Sequence, residues 1–185
     1  MRIIAGEFRG RRLLDPADRA TRPITDRVKQ SIFDILAPRL PEVHVYDVFA
    51  GTGSFGLESI SRAAAGCVFF ERHRPAVERL RRNIALLGVE DRTQIVAADI
   101  FSLGERQFAS LPSAGVIFFD PPYPFIAERP QDVQQALVAF SQRLSEDGLI
   151  VFRHEKGAEI DLPLPVQDTR VWGSMQVEFL ARPQP

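Results

Sequence analysis

Two short stretches of this chain place reactive residue types at close spacing. "YDVFAGTGSFG" (46–56) runs from strand-forming residues into Gly51, Gly53 and Gly56, spaced G-x-G-x-x-G. "GVIFFDPPYPF" (115–125) runs from an apolar strand into Asp120-Pro121-Pro122-Tyr123. The glycine turn lets backbone N–H groups approach a ligand at a helix N-terminus, and its spacing matches the dinucleotide fingerprint. Each proline fixes its own φ, biases the residue before it toward extended backbone and lacks an N–H. Such a loop can present the Asp120 carboxylate and the Pro121 carbonyl as a fixed pair of acceptors, with Tyr123 as a flat stacking face.

The acidic residues around these motifs narrow the ligand. Glu71 follows the strand run "CVFF" and can accept from ribose hydroxyls. Asp47 stands in the first strand, where a dinucleotide site usually keeps an apolar residue. A carboxylate there suits a ligand with cationic groups, such as the amino-acid end of S-adenosylmethionine (SAM). Asp99 closes "AAD", placed to accept from an adenine amino group. One acidic strand end is commonly only a loop cap. Asp47, Glu71, Asp99 and Asp120 close four successive strands and therefore share one rim of the sheet, which favours SAM over a nicotinamide cofactor. At 185 residues the chain also leaves no room for a second, dehydrogenase-type substrate domain.

The proline loop suits methylation of an exocyclic amine on a base. Such a nitrogen is a poor nucleophile because its lone pair is delocalised into the ring. Two acceptors on its hydrogens aim that lone pair, and Asp120 stabilises the positive charge developing on nitrogen. A base held in a helix must first be unstacked or flipped.

The elements that position these residues alternate along the chain. "VHVYDVF", "CVFFE", "TQIVAAD", "GVIFFD" and "GLIVFRH" read as strands. Helices are expected over 54–64, 75–87 (closed by Gly88) and 131–144, and Thr25 can N-cap an earlier one carrying Val28, Ile32, Ile35 and Leu36. Near-continuous apolar strands require a parallel sheet covered on both faces. "VQDTRVW" and "MQVEFLA" flank Gly173-Ser174 with no helix between them, so that pair is antiparallel. Residues 1–14 read as two short strands around a Gly6–Gly10 turn. The expected fold is a doubly wound, Rossmann-like α/β sheet ending in an antiparallel hairpin. It divides into a basic N-terminal β-hairpin extension (1–24) and a SAM-dependent methyltransferase domain (25–185).

Hydrophobic content of 45% and charged content of 25% are those of an ordinary globular chain, with no apolar run long enough to span a bilayer. The single cysteine, Cys67, precludes an internal disulfide, sits in an apolar strand as a core thiol and fits a cytoplasmic compartment. A net charge of −1 hides a basic N-terminal end: Arg2, Arg9, Arg11, Arg12, Arg19, Arg22, Arg27 and Lys29 precede Gln30, against four acidic residues. A basic arm on a neutral body points to a polyanion. His44, His73 and His154 have no partners at metal-ligand spacing, so no metal is expected.

Together "MRIIAGEFRGRRL", "RPITDRVKQSIFDIL", "DVFAGTGSFGLESISRAA" and "FDPPY" carry a resemblance over nearly the whole length. The chain resembles the RsmD-type methyltransferases, bacterial enzymes that move a methyl group from SAM to the N2 amine of a guanine in small-subunit (16S) ribosomal RNA. The resemblance implies that Asp47, Gly51, Gly53, Glu71 and Asp99 line the SAM pocket and that Asp120, Pro121, Pro122 and Tyr123 hold the base. Phe49, Thr52, Arg72, Ile100 and Thr25 complete the candidate cofactor set. It further implies that Arg2, Arg9, Arg11, Arg12 and Arg22 contact RNA phosphates, within the small ribosomal subunit or an assembly intermediate. Ile24 departs from a common threonine, and "RVWG" from a tyrosine-glycine pattern. Related proline loops serve DNA adenine and protein glutamine, and a catalytically silent RNA-binding assembly factor would keep the same fold. Nothing in the sequence requires more than a monomer.

Overall fold

Largely apolar runs form the central strands of one sheet, buried on both faces, while its two edge strands are more polar and partly exposed. A computed structural model describes residues 1–15 and 24–183; Arg19 and Arg22 of the basic arm lie outside the described residues. The elements are α1 (Asp26–Leu36), β1 (His44–Val48), α2 (Ser54–Ser61), β2 (Gly66–Phe70), α3 (Arg74–Leu87), β3 (Thr93–Val96), α4 (Glu105–Ala109), β4 (Ala114–Phe119), α5 (Tyr123–Glu128), α6 (Pro130–Ser141), β5 (Leu144–Glu155), β6 (Val166–Trp172) and β7 (Met175–Ala181). No helix among the described residues is long and apolar enough to cross a membrane.

The seven strands lie in the order β3-β2-β1-β4-β5-β7-β6. The first five in that order run parallel, and β7 is antiparallel to both β5 and β6. Strand order reverses between β1 and β4, so the crevice for a ligand opens beyond their carboxyl ends. Alternate residues serve opposite faces: Val116, Phe118 and Val151 join the core under α1, α2 and α3, whereas Ile117, Phe119 and Phe152 join the core under α6. Cys67 is buried in the first of these.

Several boundaries differ from the periodicity, and the helix expected over 54–64 ends at Ser61. The helix expected over 131–144 stops at Ser141, because the Arg143 carbonyl is taken by the Ala114 N–H at 2.8 Å and β5 begins at once. The third strand ends at Val96, and Asp99 caps a tight turn by accepting from the Phe101 N–H at 3.2 Å.

The N-terminal segment folds back as a hairpin with a single antiparallel bridge, Arg2 to Arg12, rather than a strand pair. Ile3, Gly10 and Leu13 donate across the hairpin to the carbonyls of Arg11, Ile3 and Met1 at 2.9, 2.9 and 3.0 Å, and a second set of backbone donors goes to α2. Ile4 and Ala5 donate to the Glu58 carboxylate at 2.8 and 3.0 Å, Glu7 to the Ser61 carbonyl at 2.8 Å and Phe8 to Ser61 Oγ at 3.0 Å. Gly6 permits this approach: its φ is +83°, and a Cβ there would lie 1.7 Å from the Ser61 carbonyl oxygen.

Glu58 is fully buried, as is Lys29, whose Nζ lies 3.0 Å from it and 3.0 Å from Ser54 Oγ. Arg62 Nε also reaches Glu58, at 2.8 Å, and its guanidinium covers the Phe33 ring. Burial pulls the Lys29 ammonium below its ordinary pKa, and the charge of Glu58 opposes that pull. Lys29 therefore belongs to the interior and not to the basic surface of the arm. Glu58→Ala leaves a buried ammonium unpaired and two arm donors unmade; a loss of about 3–5 kcal/mol is expected in urea unfolding.

Candidate active site

The carboxyl ends of the parallel strands surround a cavity of about 600 Å³, within the range of small-molecule sites. Phe49, Gly51, Thr52, Glu71, Arg72, Asp99 and Ile100 line it from the glycine-loop side, and Asp120, Pro121, Pro122 and Tyr123 from the other, with Asp47 at the back. The two motifs singled out in the sequence thus face one space. Gly53 and Thr25 are not among the lining residues. Gly53 is the left-handed residue before α2 (φ 77°), and Thr25 caps α1 by accepting from the Val28 N–H at 3.4 Å. Ile24, beside Thr25, lines the cavity in its place.

Three of the glycine-loop residues do three different things. Gly51 turns the chain at φ 56°, and its N–H donates to Glu71 Oε2 at 2.9 Å. Gly56 is needed for packing, since a Cβ there would fall 2.3 Å from the Phe69 ring and 2.4 Å from Cys67 Sγ. Phe49 also adopts positive φ, 63°, which costs a non-glycine residue energy. Its ring is held by Phe101, Phe119 and Phe125 at centroid distances of 6.0, 5.5 and 6.0 Å. Behind the loop, buried Asn83 donates to the Thr52 carbonyl at 2.9 Å and accepts from the Leu14 N–H at 2.8 Å, tying the arm to the site.

Each rim carboxylate has its own donors. Asp47, 2% exposed, accepts from the Gly56 N–H at 2.8 Å. Glu71 takes the Gly51 N–H on one oxygen and the His73 N–H on the other, at 2.9 and 2.8 Å. Asp99, expected to meet an adenine amine, is also paired with Arg72 at 2.9 Å. Asp120 is gripped by both edges of the Arg153 fork, Nε to Oδ1 and Nη2 to Oδ2, each at 2.6 Å.

The donors and the space fit a nucleoside joined to a cationic amino acid. Phe49, Phe70, Ile100 and Phe125 give the cavity an apolar middle, Glu71 and Asp99 supply acceptors at one end and buried Asp47 supplies a carboxylate at the back. On the arm, Arg9, Arg11 and Arg12 are exposed, while Arg2 pairs with Asp26 at 2.7 Å. Met1 lines the cavity, so the arm borders its wall.

The model of the family described as Conserved hypothetical protein 95 matches residues 1–180.

The chain belongs to that family.

The Bacillus subtilis protein "Putative rRNA methyltransferase YlbH" is 36% identical over 172 residues, covering 91% of this chain and 89% of its own. The Escherichia coli K12 "Ribosomal RNA small subunit methyltransferase D" is 36% identical over 123 residues; the match spans 66% of this chain and 60% of that protein. A solved hypothetical protein of Thermus thermophilus superposes with a TM-score of 0.81 at 30% identity, covering 98% of this chain and 99% of its own.

Sequence reasoning missed Arg153, Ser54, Phe70 and Phe125 at the cavity. Arg153 had a signal: "GLIVFRH" ends in the fifth parallel strand, beside the strand that ends at Asp120. Ser54 opens α2 within the glycine loop and carried none.

Burial pushes the Asp47 carboxyl up to about 8; the Gly56 N–H draws it down, Asp120 pushes it further up, Lys29 draws it down and Glu71 pushes it up. The folded protein thus keeps, between its ordinary 3.8 and about 8, a proton that the unfolded chain releases. Stability contributed by that proton is complete below this window and is lost as pH rises through it. Asp47→Asn removes the dependence. Relative to wild type it is expected to gain roughly 1–3 kcal/mol in urea unfolding between about pH 5 and about pH 8.

Proposed function

We propose that the protein transfers a methyl group from SAM to the exocyclic N2 amine of a guanine in small-subunit (16S) ribosomal RNA. The single observation that carries this reading is the shared cavity. Asp120, Pro121, Pro122 and Tyr123 line the same space as the glycine loop, Glu71 and Asp99, so an amine held at the proline loop faces the cofactor side directly. The names of the relatives, which are ribosomal RNA methyltransferases, support the same class of acceptor.

Glu71 and Asp99 accept from the adenosine portion, Ile100 and Phe49 bound the apolar slot, and Asp47 faces the cationic amino-acid end. When bound, SAM supplies an electrophilic methyl group on a sulfonium. The protein's own residues do the rest. Asp120 and the Pro121 carbonyl accept from the two hydrogens of the amine and so aim its lone pair. Pro122, with φ −51° and ψ 131°, keeps the loop extended up to Tyr123 at the start of α5. Stacking of the base on Tyr123 contributes roughly 1–3 kcal/mol. As nitrogen gains positive charge, the fixed Asp120 carboxylate stabilises it without reorganising.

The exposed arginines of the arm engage phosphates, which supplies affinity and not sequence choice. Selectivity then comes from RNA shape within the subunit or an assembly intermediate. The enzyme acts in the cytoplasm and needs only one copy of the chain.

Asp120→Ala is expected to abolish methyl transfer while SAM still binds in calorimetry, with NAD giving no heat. Retained turnover would refute the role of Asp120. Neutralising Arg9, Arg11 and Arg12 together is expected to weaken RNA binding and to lower the slope of log K against log salt by about 2. An unchanged slope would make the arm purely structural.

A further inference from the structure

The reaction as proposed leaves one buried charge in the cavity wall unused. Arg153 lies one residue beyond Phe152 on β5, and Phe152 pairs with Phe119, the residue before Asp120 on β4. On its other side Arg153 is in register with Val177 of β7. The guanidinium is therefore carried by a strand paired on both sides, directly across from the carboxylate. The side chains of Arg153 and Asp120 are only 12% and 16% exposed, and both line the cavity.

The pair is expensive to keep. Arg153 Nη1 is buried with no hydrogen-bond partner among the described residues. A buried ion pair seldom contributes more stability than well-packed apolar residues of similar size. Burial works against the charge of Arg153, and the charge and hydrogen bond of Asp120, together with Tyr123, outweigh it and leave its pKa raised. A stabilising core residue would be apolar here. The bidentate fork instead fixes the plane of one carboxylate.

What it fixes is useful to the amine. An ionised carboxylate offers about four lone-pair positions, and the fork engages one on each oxygen. The others stay available to a donor in the cavity. The fork also sets a cation against the Asp120 charge, which together with Glu71 pushes the Asp47 carboxyl up while Lys29 of α1 draws it down. Tyr123 of α5 also acts on Arg153.

We propose that Arg153 is a positioning residue, whose fork holds the Asp120 carboxylate in one plane and leaves its remaining lone pairs for the target amine. The inference rests on the amine-methylation reading and adds a residue to it. Arg153 does not touch the base; it acts through Asp120.

The test compares wild type with Arg153→Met and Arg153→Lys, using methyl-labelled SAM and small subunits lacking the modification. Arg153→Met is expected to lower kcat about a hundredfold, with KM for SAM and for the subunit nearly unchanged. Arg153→Lys keeps the charge without the fork, so it recovers only part of kcat. A loss confined to KM or a variant faster than wild type would overturn the proposal; the latter would show that the pair locks the site. Crystals of Arg153→Lys give a readout that needs no turnover. Asp120 should leave the plane it holds in wild type, and an unmoved carboxylate overturns the proposal even if no RNA is methylated. Absence of transfer by wild type itself would sink the functional reading alone.

Discussion

Four acidic side chains gathered at the end of one sheet need donors, and much of the structure around the cavity supplies them. Parallel β1, β2 and β4, together with the turn after β3, put Asp47, Glu71, Asp120 and Asp99 on the same rim. Each is held by different donors: the Gly56 N–H, the Gly51 and His73 N–H pair, the Arg153 fork, and Arg72 with the Phe101 N–H. The site is thus preorganised before any ligand arrives. Its cost is concentrated at Asp47, the most buried of the four, where burial drives the carboxyl up to about 8. A cationic ligand group beside Asp47 would relieve that cost, which is a physical reason for the site to prefer a charged amino-acid end over a second nucleotide.

A second buried group ties the arm to the site. Glu58 accepts from the backbone of Ile4 and Ala5 and pairs with Lys29, and Lys29 donates to Ser54, which lines the cavity. Asn83 repeats the arrangement on the other side, between Leu14 and Thr52. The exposed arginines of the arm therefore stand on a segment bonded into the wall of the cavity. On the proposed reading, RNA held by the arm is held at a defined position relative to the proline loop.

Much of this was legible in the sequence because it depends on local pattern. Apolar runs bounded by glycine and proline gave strands, their order gave a shared rim, and acidic strand ends marked it. The antiparallel β6–β7 pair followed from two strands joined by Gly173-Ser174 alone. What escaped depends on partners distant in the chain. Lys29 read as one more arm cation because Glu58 lies 29 residues away on another helix. Arg153 read as a strand residue because only the β4–β5 register brings it to Asp120, 33 positions earlier. The hairpin of the arm is bonded to α2 as well as across itself, which hydrophobic alternation does not reveal.

The most direct measurement is the identity of the methylated nucleoside. Purified protein would be incubated with methyl-labelled SAM and, in parallel, with small ribosomal subunits lacking the modification, naked small-subunit RNA, duplex DNA and a protein extract, and the labelled RNA digested to nucleosides. The account predicts label in N2-methylguanosine from small-subunit RNA. Label in DNA adenine, in protein glutamine or in no acceptor, despite bound SAM, would contradict it.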